Sequence, residues 1–314
     1  MSSAPNWFVE KIRDMVRVRY MALGGYLDDT MIRGDGGAGV VKFPVLGGRI
    51  PMYLISRALQ DIDPSEVNMD TITLSLSDYE AAATWFQQDL RKMGPSQQDG
   101  ISKLLTQAVR MKRDTIKLTA LNTFANATST LADTPSTVET IGDGTAKIDV
   151  EFAAYIGDSI AGTGSDEEAF CAIPQVWMTQ LCFNKHFSNA DYTGPADLPF
   201  AKASKMKKKT FQGTHFVTLP NEYFSFGTGA FGTGSNGLPF NGTGYLDAFA
   251  WTKDSMGCEV EWDQENMTID QVPTLKGSPW LGKVQLSAAA VGILPEGVKR
   301  IRMLAINKAV KINE

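Results

Sequence analysis

The sequence predicts an α+β protein organised around one long helix, and three stretches carry that expectation. MDTITLSLSDY (Met69 to Tyr79) alternates Ile72, Leu74 and Leu76 with Thr71, Thr73, Ser75 and Ser77, the period of a half-buried strand. Residues 96–124 put Ile101, Leu104, Leu105, Ala108, Met111 (or Lys112), Ile116 and Leu118 on one helical stripe, with Lys103, Arg110 and Arg113 off it. The C-terminal section pairs LGKVQLSAAAVGIL with VKRIRMLAINKAVKI, two β-rich stretches separated by a PEG turn.

At 314 residues the chain exceeds most single cores, so one large lobed unit or two domains is expected. Its 43% hydrophobic and 21% charged residues are ordinary for a globular protein. A net charge of −5 disfavours a dedicated nucleic-acid binder, which carries a basic footprint. Three cysteines (Cys171, Cys182, Cys258) without a CxxC pair read as buried or inert thiols in a reducing compartment. The first twenty residues lack the apolar run of a signal peptide, and no stretch reaches the length of a membrane span. A soluble chain made in the cytosol is the expectation, and the sequons at Asn126, Asn241 and Asn266 then read as chance matches.

In chain order, residues 6–23 come first. Trp7, Phe8, Ile12, Met15, Val16 and Arg19 recur at near-helical spacing, and Gly24-Gly25 end the pattern. VVKFPVLGG (Val40 to Gly48) is an apolar β-rich run that admits two foldings: a tight hairpin at Gly47-Gly48, or a long ribbon pairing 40–46 with 70–77. The ribbon is preferred, because Pro51 spoils a return strand right after the glycines. A two-stranded ribbon is marginal alone in water, and the sequence offers it no obvious cover within the chain. A partner subunit is the economical cover.

Gly94-Pro95 precedes the long helix, and Ser96 with Asp99 resembles a capping box. At about 1.5 Å per residue this helix is roughly 40 Å long, the length of a spine. Residues 125–165 read as loops around a short helix near 149–161, and 170–187 as a strand entering a short helix. A basic run (Lys202, Lys205, Lys207, Lys208, Lys209) reads as a solvated face, and THFVTLP as a strand.

Motifs for chemistry are thin. FGTGAFGTGSNGLPFNGTG (Phe226 to Gly244) matches G-x-G-x-x-G at Gly227, Gly229 and Gly232, and EYFSF before it reads as a short strand. Residues 233–239 include Gly234, Gly237 and Pro239 and do not start a helix, so a pyrophosphate would lack its helix N-terminus. Gly277 to Val284 reproduces GxxxxGK, but Val284 replaces the Ser/Thr that holds magnesium. Cys182 and His186, four apart, read as a buried thiol beside a surface histidine, and Asp166-Glu167-Glu168 as a solvated helix start. No catalytic, cofactor-binding or metal residue is assigned.

The order of these pieces resembles the major capsid protein of tailed double-stranded DNA phages, the Hong Kong 97 fold. The resemblance rests on an N-terminal arm, an extended β-ribbon, a spine helix and a Gly/Pro-broken region that precedes a final β segment. VVKFPVLGG, AIPQVWMTQLCFNKHFSNADYTG, WTKDSMGCEVEWD and ILPEGVKRI also look similar to one capsid branch. The resemblance implies residues 1–34 as N-terminal arm, 35–84 as extended loop and 85–140 as peripheral domain with the spine helix. Residues 141–265 would be the axial domain and 266–314 the return to the peripheral domain. It further implies a structural, non-enzymatic protein of the virion capsid, without cofactors, made in the host cytoplasm. Its partners would be itself in pentamers and hexamers, a portal, a separate scaffolding or decoration protein, and packaged DNA held without sequence specificity. Candidate assembly contacts are Trp7, Phe8, Arg49, Tyr53 and Arg57. An encapsulin-type compartment is the alternative, and a nucleotide-binding oxidoreductase the rival from another class.

Overall fold

The computed structural model describes residues 23–34, 39–47, 50, 52, 54, 67–86, 95–131, 135–188, 208–229 and 243–309. A short strand β1 (Ile32–Arg33) leads to β2 (Val40–Gly47), β3 (Asn68–Ser75) and β4 (Ser77–Trp85). Helix α1 (Pro95–Asn126) follows, then β5 (Glu139–Ile141), α2 (Val150–Ala161), β6 (Ala169–Pro174), α3 (Gln175–Cys182) and α4 (Lys185–Ser188). The remainder is β7 (Lys208–Phe211), β8 (Thr214–Leu219), β9 (Tyr245–Thr252), β10 (Met256–Asp263), β11 (Thr268–Gln271), β12 (Trp280–Gly292) and β13 (Val298–Leu304).

The predicted spine is present as α1, 32 residues long. Pro95 is its first residue, where a missing N–H is harmless, so Ser96 lies inside the first turn rather than at the cap. Its buried face also differs from the expected stripe: Leu105, Val109, Leu118 and Leu121 are buried, whereas Leu104 is exposed. The helix serves two layers, which turns the stripe gradually around it. Leu105 and Val109 join Val284, Leu286 and Ala288 of β12, while Leu118 and Leu121 enter the main core. Gly292 lets α1 come close, since a Cβ there would collide with the Phe124 ring.

Two sheets flank the helix. One runs β1-β10-β12-β11, with β4 on the other edge of β12 in antiparallel register from Ser77↔Ala288 to Trp85↔Trp280. The other is six-stranded, β5-β13-β9-β6-β8-β7. Its core holds Trp177, Phe187, Phe216, Phe249 and Trp251, with Ile156 and Ile160 of α2 packed in. Asp149 caps α2 by accepting from the Val150 N–H, where the sequence placed a short helix. Also as expected, β6 feeds α3 and THFVTLP forms β8.

The C-terminal stretches do not pair with each other. β12 lies in the five-stranded sheet and β13 in the six-stranded one, and the PEG turn carries the chain between them. The Ile293 and Leu294 N–H groups both bond to the Ser255 carbonyl, which holds the crossing point against the β9–β10 connection.

The ribbon is the predicted long pairing: β2 and β3 are antiparallel from Val40↔Ser75 to Gly47↔Asn68. Its base has a cover that the sequence reading missed. Val41, Phe43, Val45 and Leu74 cluster with Ile293, and Ala289, Val291 and Leu294 pack alongside. Gly257 leaves room for the Phe43 ring, 2.6 Å from where a Cβ would stand.

Candidate assembly site

Strand alternation decides which ribbon side chains are held and which are free. Along β2, Val41, Phe43 and Val45 turn inward while Val40, Lys42, Pro44 and Leu46 face out. Pro44 is tolerated because a two-stranded ribbon has outer edges that need no ladder N–H. Beyond the covered base the apolar residues lose their cover: Leu46 is 70% exposed, Met52 99%, Leu54 88% and Met69 78%. Ile50 and Val67 are exposed there too. Such a run of large apolar side chains on one projection marks an interaction surface.

Away from the ribbon, residues 24–31 are clamped to α1. Gly24, at φ +74°, lies so close to the helix backbone that a Cβ would stand 2.5 Å from Arg110 C and Met111 N. The Asp114 carboxylate accepts from the N–H groups of Tyr26 (3.0 Å) and Leu27 (3.2 Å) and from the Tyr223 hydroxyl (3.2 Å). Lys117 donates to the Leu27 carbonyl at 2.8 Å and pairs with Asp28 at 3.2 Å. Burial pushes the Asp114 carboxyl above its ordinary range, against the pull of the two backbone N–H groups. Arg113 bridges Asp28, Asp263 and Glu265, and Arg110 also holds Glu265. These contacts fix the point to which residues 1–22 are attached.

All five predicted contacts, Trp7, Phe8, Arg49, Tyr53 and Arg57, lie outside the described residues, as do the helical pattern before Leu23 and most of the ribbon tip. Sequence reasoning missed the apolar tip itself. Its signal was present: LGGRIPMYL puts apolar letters where a turn between strands is ordinarily polar. The Asp114 clamp was missed as well.

The chemical motifs resolve into structure. Upstream of the glycine loop the sequence forms a 3-10 turn at Asn221–Tyr223, not the expected strand. The described ends of the loop are zipped together: Gly229 N bonds to Tyr245 O at 2.8 Å, and Thr228 Oγ1 accepts from Tyr245 N at 3.2 Å. Gly227 and Gly229 are there because a Cβ would collide with the neighbouring backbone, while Gly232 lies outside the described residues. Gly277 turns into β12 as expected. Cys182 and His186 sit on different helices, α3 and α4. Asp166 to Glu168 precede a strand rather than a helix, and Glu168 meets His215 Nε2 at 2.6 Å. Lys209, expected in solvent, is buried with its ammonium 4.7 Å from the Phe187 ring centroid. Among the described residues no group of three or more His, Cys, Asp or Glu could hold a metal. None of the described helices is long and apolar enough to cross a membrane.

An exposed apolar ribbon end of this kind is the mark of a protein that associates through its surface. The family model for phage capsid protein matches residues 4–305, and the chain belongs to that family. Its fold is similar to the capsid structure of the cyanophage P-SCSP1u (TM-score 0.67, 13% identity, covering 95% of this chain and 93% of that one). It is also similar to the capsid of Ralstonia phage GP4 (TM-score 0.62, 10% identity, covering 97% and 98%). The capsid of a native GTA particle matches as well (TM-score 0.61, 10% identity, covering 96% and 97%). No curated protein sequence matches the chain. The α+β Hong Kong 97-like fold is therefore present across nearly the whole chain, and the protein is a structural component of the virion capsid, not an enzyme.

Proposed function

We propose that this capsid protein assembles with itself into pentamers and hexamers of an icosahedral shell around double-stranded DNA, each ribbon tip lying on a neighbouring subunit. The observation that carries this reading is the contrast within one ribbon, whose base is buried by its own chain while its tip exposes Leu46, Met52, Leu54 and Met69. A surface that meets a different surface on the next copy generates rings and shells rather than closed dimers.

In this reading residues 1–34 are the arm, 35–84 the extended loop, 85–140 and 266–314 the peripheral region, and 141–265 the axial region. β13 then reaches back to share the axial sheet. Further partners are a portal, a separate scaffolding or decoration protein, and DNA bound without sequence specificity. The net charge of −5 suits a container that must not grip DNA tightly. Deleting residues 47–66 tests the reading. The expected result is a subunit with native far-UV circular dichroism that forms no particles in negative stain, and normal shells from that deletion would overturn the intersubunit role of the ribbon.

A further inference from the structure

The six-stranded sheet ends on one side at β5 and on the other at β7, and the two edges differ in charge. One row of register partners joins them, from Glu139 through Lys299, Ala250, Cys171 and Phe216 to Lys209. Five strand spacings make that row about 24 Å long, so the edges of one subunit do not reach each other. Residues 139–161, beside the first edge, hold Glu139, Asp143, Asp149, Glu151 and Asp158 against the single base Lys147. Residues 202–211, which lead into and through β7, hold five lysines and no acid.

At the β5 edge the acids surround an aromatic ring. Tyr155 of α2 donates its hydroxyl to Glu139 at 2.9 Å, and Ser159 donates to the same carboxyl group at 2.7 Å, which turns this side of the helix toward β5. Glu151 and Asp158, about one turn to either side of Tyr155, share its face and are exposed with it. Glu139 is already met by the buried ammonium of Lys299, so the charge left facing solvent is that of Glu151 and Asp158. With its hydroxyl turned inward, Tyr155 remains 48% exposed between those two carboxylates. An aromatic ring rimmed by acids fits a lysine, whose ammonium meets ring and carboxylates while its stem packs on the ring.

Alternation sorts the lysines at the β7 edge. Lys209 is buried over Phe187, whereas Lys208 is exposed. Glu168 comes to this edge as well, but its carboxylate is taken by His215 Nε2 at 2.6 Å, with Thr210 Oγ1 at 2.7 Å from the other ring nitrogen. The unpaired charge of the edge is therefore positive.

We infer that the acidic flank of α2 beside β5 is an interface for the lysine-bearing β7 flank of a second copy. The inference rests on the shell reading and names one contact within its rings. Flanks that complement each other but not themselves join copies head to tail, the pattern that closes rings. Exposed charges select the partner and its orientation, and salt screens them.

The test reverses each flank and then both. Glu151→Lys/Asp158→Lys and Lys207→Glu/Lys208→Glu are compared with the native chain and with a chain carrying all four changes, by negative stain and sedimentation. Either pair alone should lower particle yield by about tenfold or more, because like charges then face each other in every ring. The fourfold chain should recover most of the native yield, because the two flanks complement each other again. On native particles, a carbodiimide that joins lysines to touching carboxylates should link Lys207 or Lys208 to Glu151 or Asp158. The distance between the edges makes such a link intersubunit, and this readout needs no altered chain to fold. Native yields from both single-flank variants, or native particles without that cross-link, would overturn the contact and leave the shell reading standing. A native chain that forms no particles would contradict the shell reading, and the contact with it.

Discussion

Asp114 shows how a single residue sets the geometry of a whole segment. Its carboxylate serves three donors, from Tyr26, Leu27 and Tyr223. Asp114→Asn presents an amide N–H₂ to one of those donors and should destabilise the subunit by about 2 kcal/mol, measured by urea unfolding. Glu139 makes a second prediction, in pH. Its carboxylate accepts from Lys299 (2.7 Å), Ser159 (2.7 Å) and Tyr155 (2.9 Å), and these partners lower its pKa from 4.5 to about 2. A depressed carboxyl stabilises the fold above pH 4.5, and that contribution is lost as pH falls toward 2. Because the side chain is 40% exposed, solvent screening leaves about 1 kcal/mol. Stability of Glu139→Gln should therefore trail the native protein at neutral pH and converge with it in acid. Neither residue was legible beforehand, because their partners lie 16 to 160 positions away in sequence.

At the level of elements, legibility followed local periodicity. The alternation of Ile72 and Leu74 with threonines and serines named a strand, and Val40 to Leu46 named its partner, because each pattern is complete within a few residues. The long helix was legible for the same reason, although its buried face turns from Val109 to Leu121 as its neighbours change from one sheet to the other. The separation of β12 from β13 was not legible, because two β-rich stretches around a turn look the same whether they pair or part. Their parting depends on the remote Ser255 carbonyl. The ribbon tip supplies the prediction at this scale. Leu46 and Met69, partners in the ribbon register, are both exposed, so Leu46→Lys/Met69→Lys should leave the melting temperature nearly unchanged. The same pair of charges should abolish particle formation, scored by sedimentation. Particles in native yield would show that the apolar tip is not a contact.

For the whole molecule, the sequence conveyed the order of parts, and that order was enough to reach the capsid family, because a shell subunit is defined by arm, ribbon, spine and sheet rather than by a constellation of catalytic side chains. What it did not convey is how the parts share cover. The base of the ribbon is held by its own C-terminal sheet, while the described residues toward its far end are left exposed. Two anchors, Phe43 over Gly257 and Asp114 under Tyr26 and Leu27, hold the ribbon base and residues 24–31 in place. The most direct test is an electron cryomicroscopy map of the assembled particle at side-chain resolution. The account expects density for residues 47–67 resting on an adjacent subunit, with Leu46, Met52, Leu54 and Met69 buried there. A ribbon tip folded onto its own subunit, or standing free in solvent within a complete shell, would contradict it.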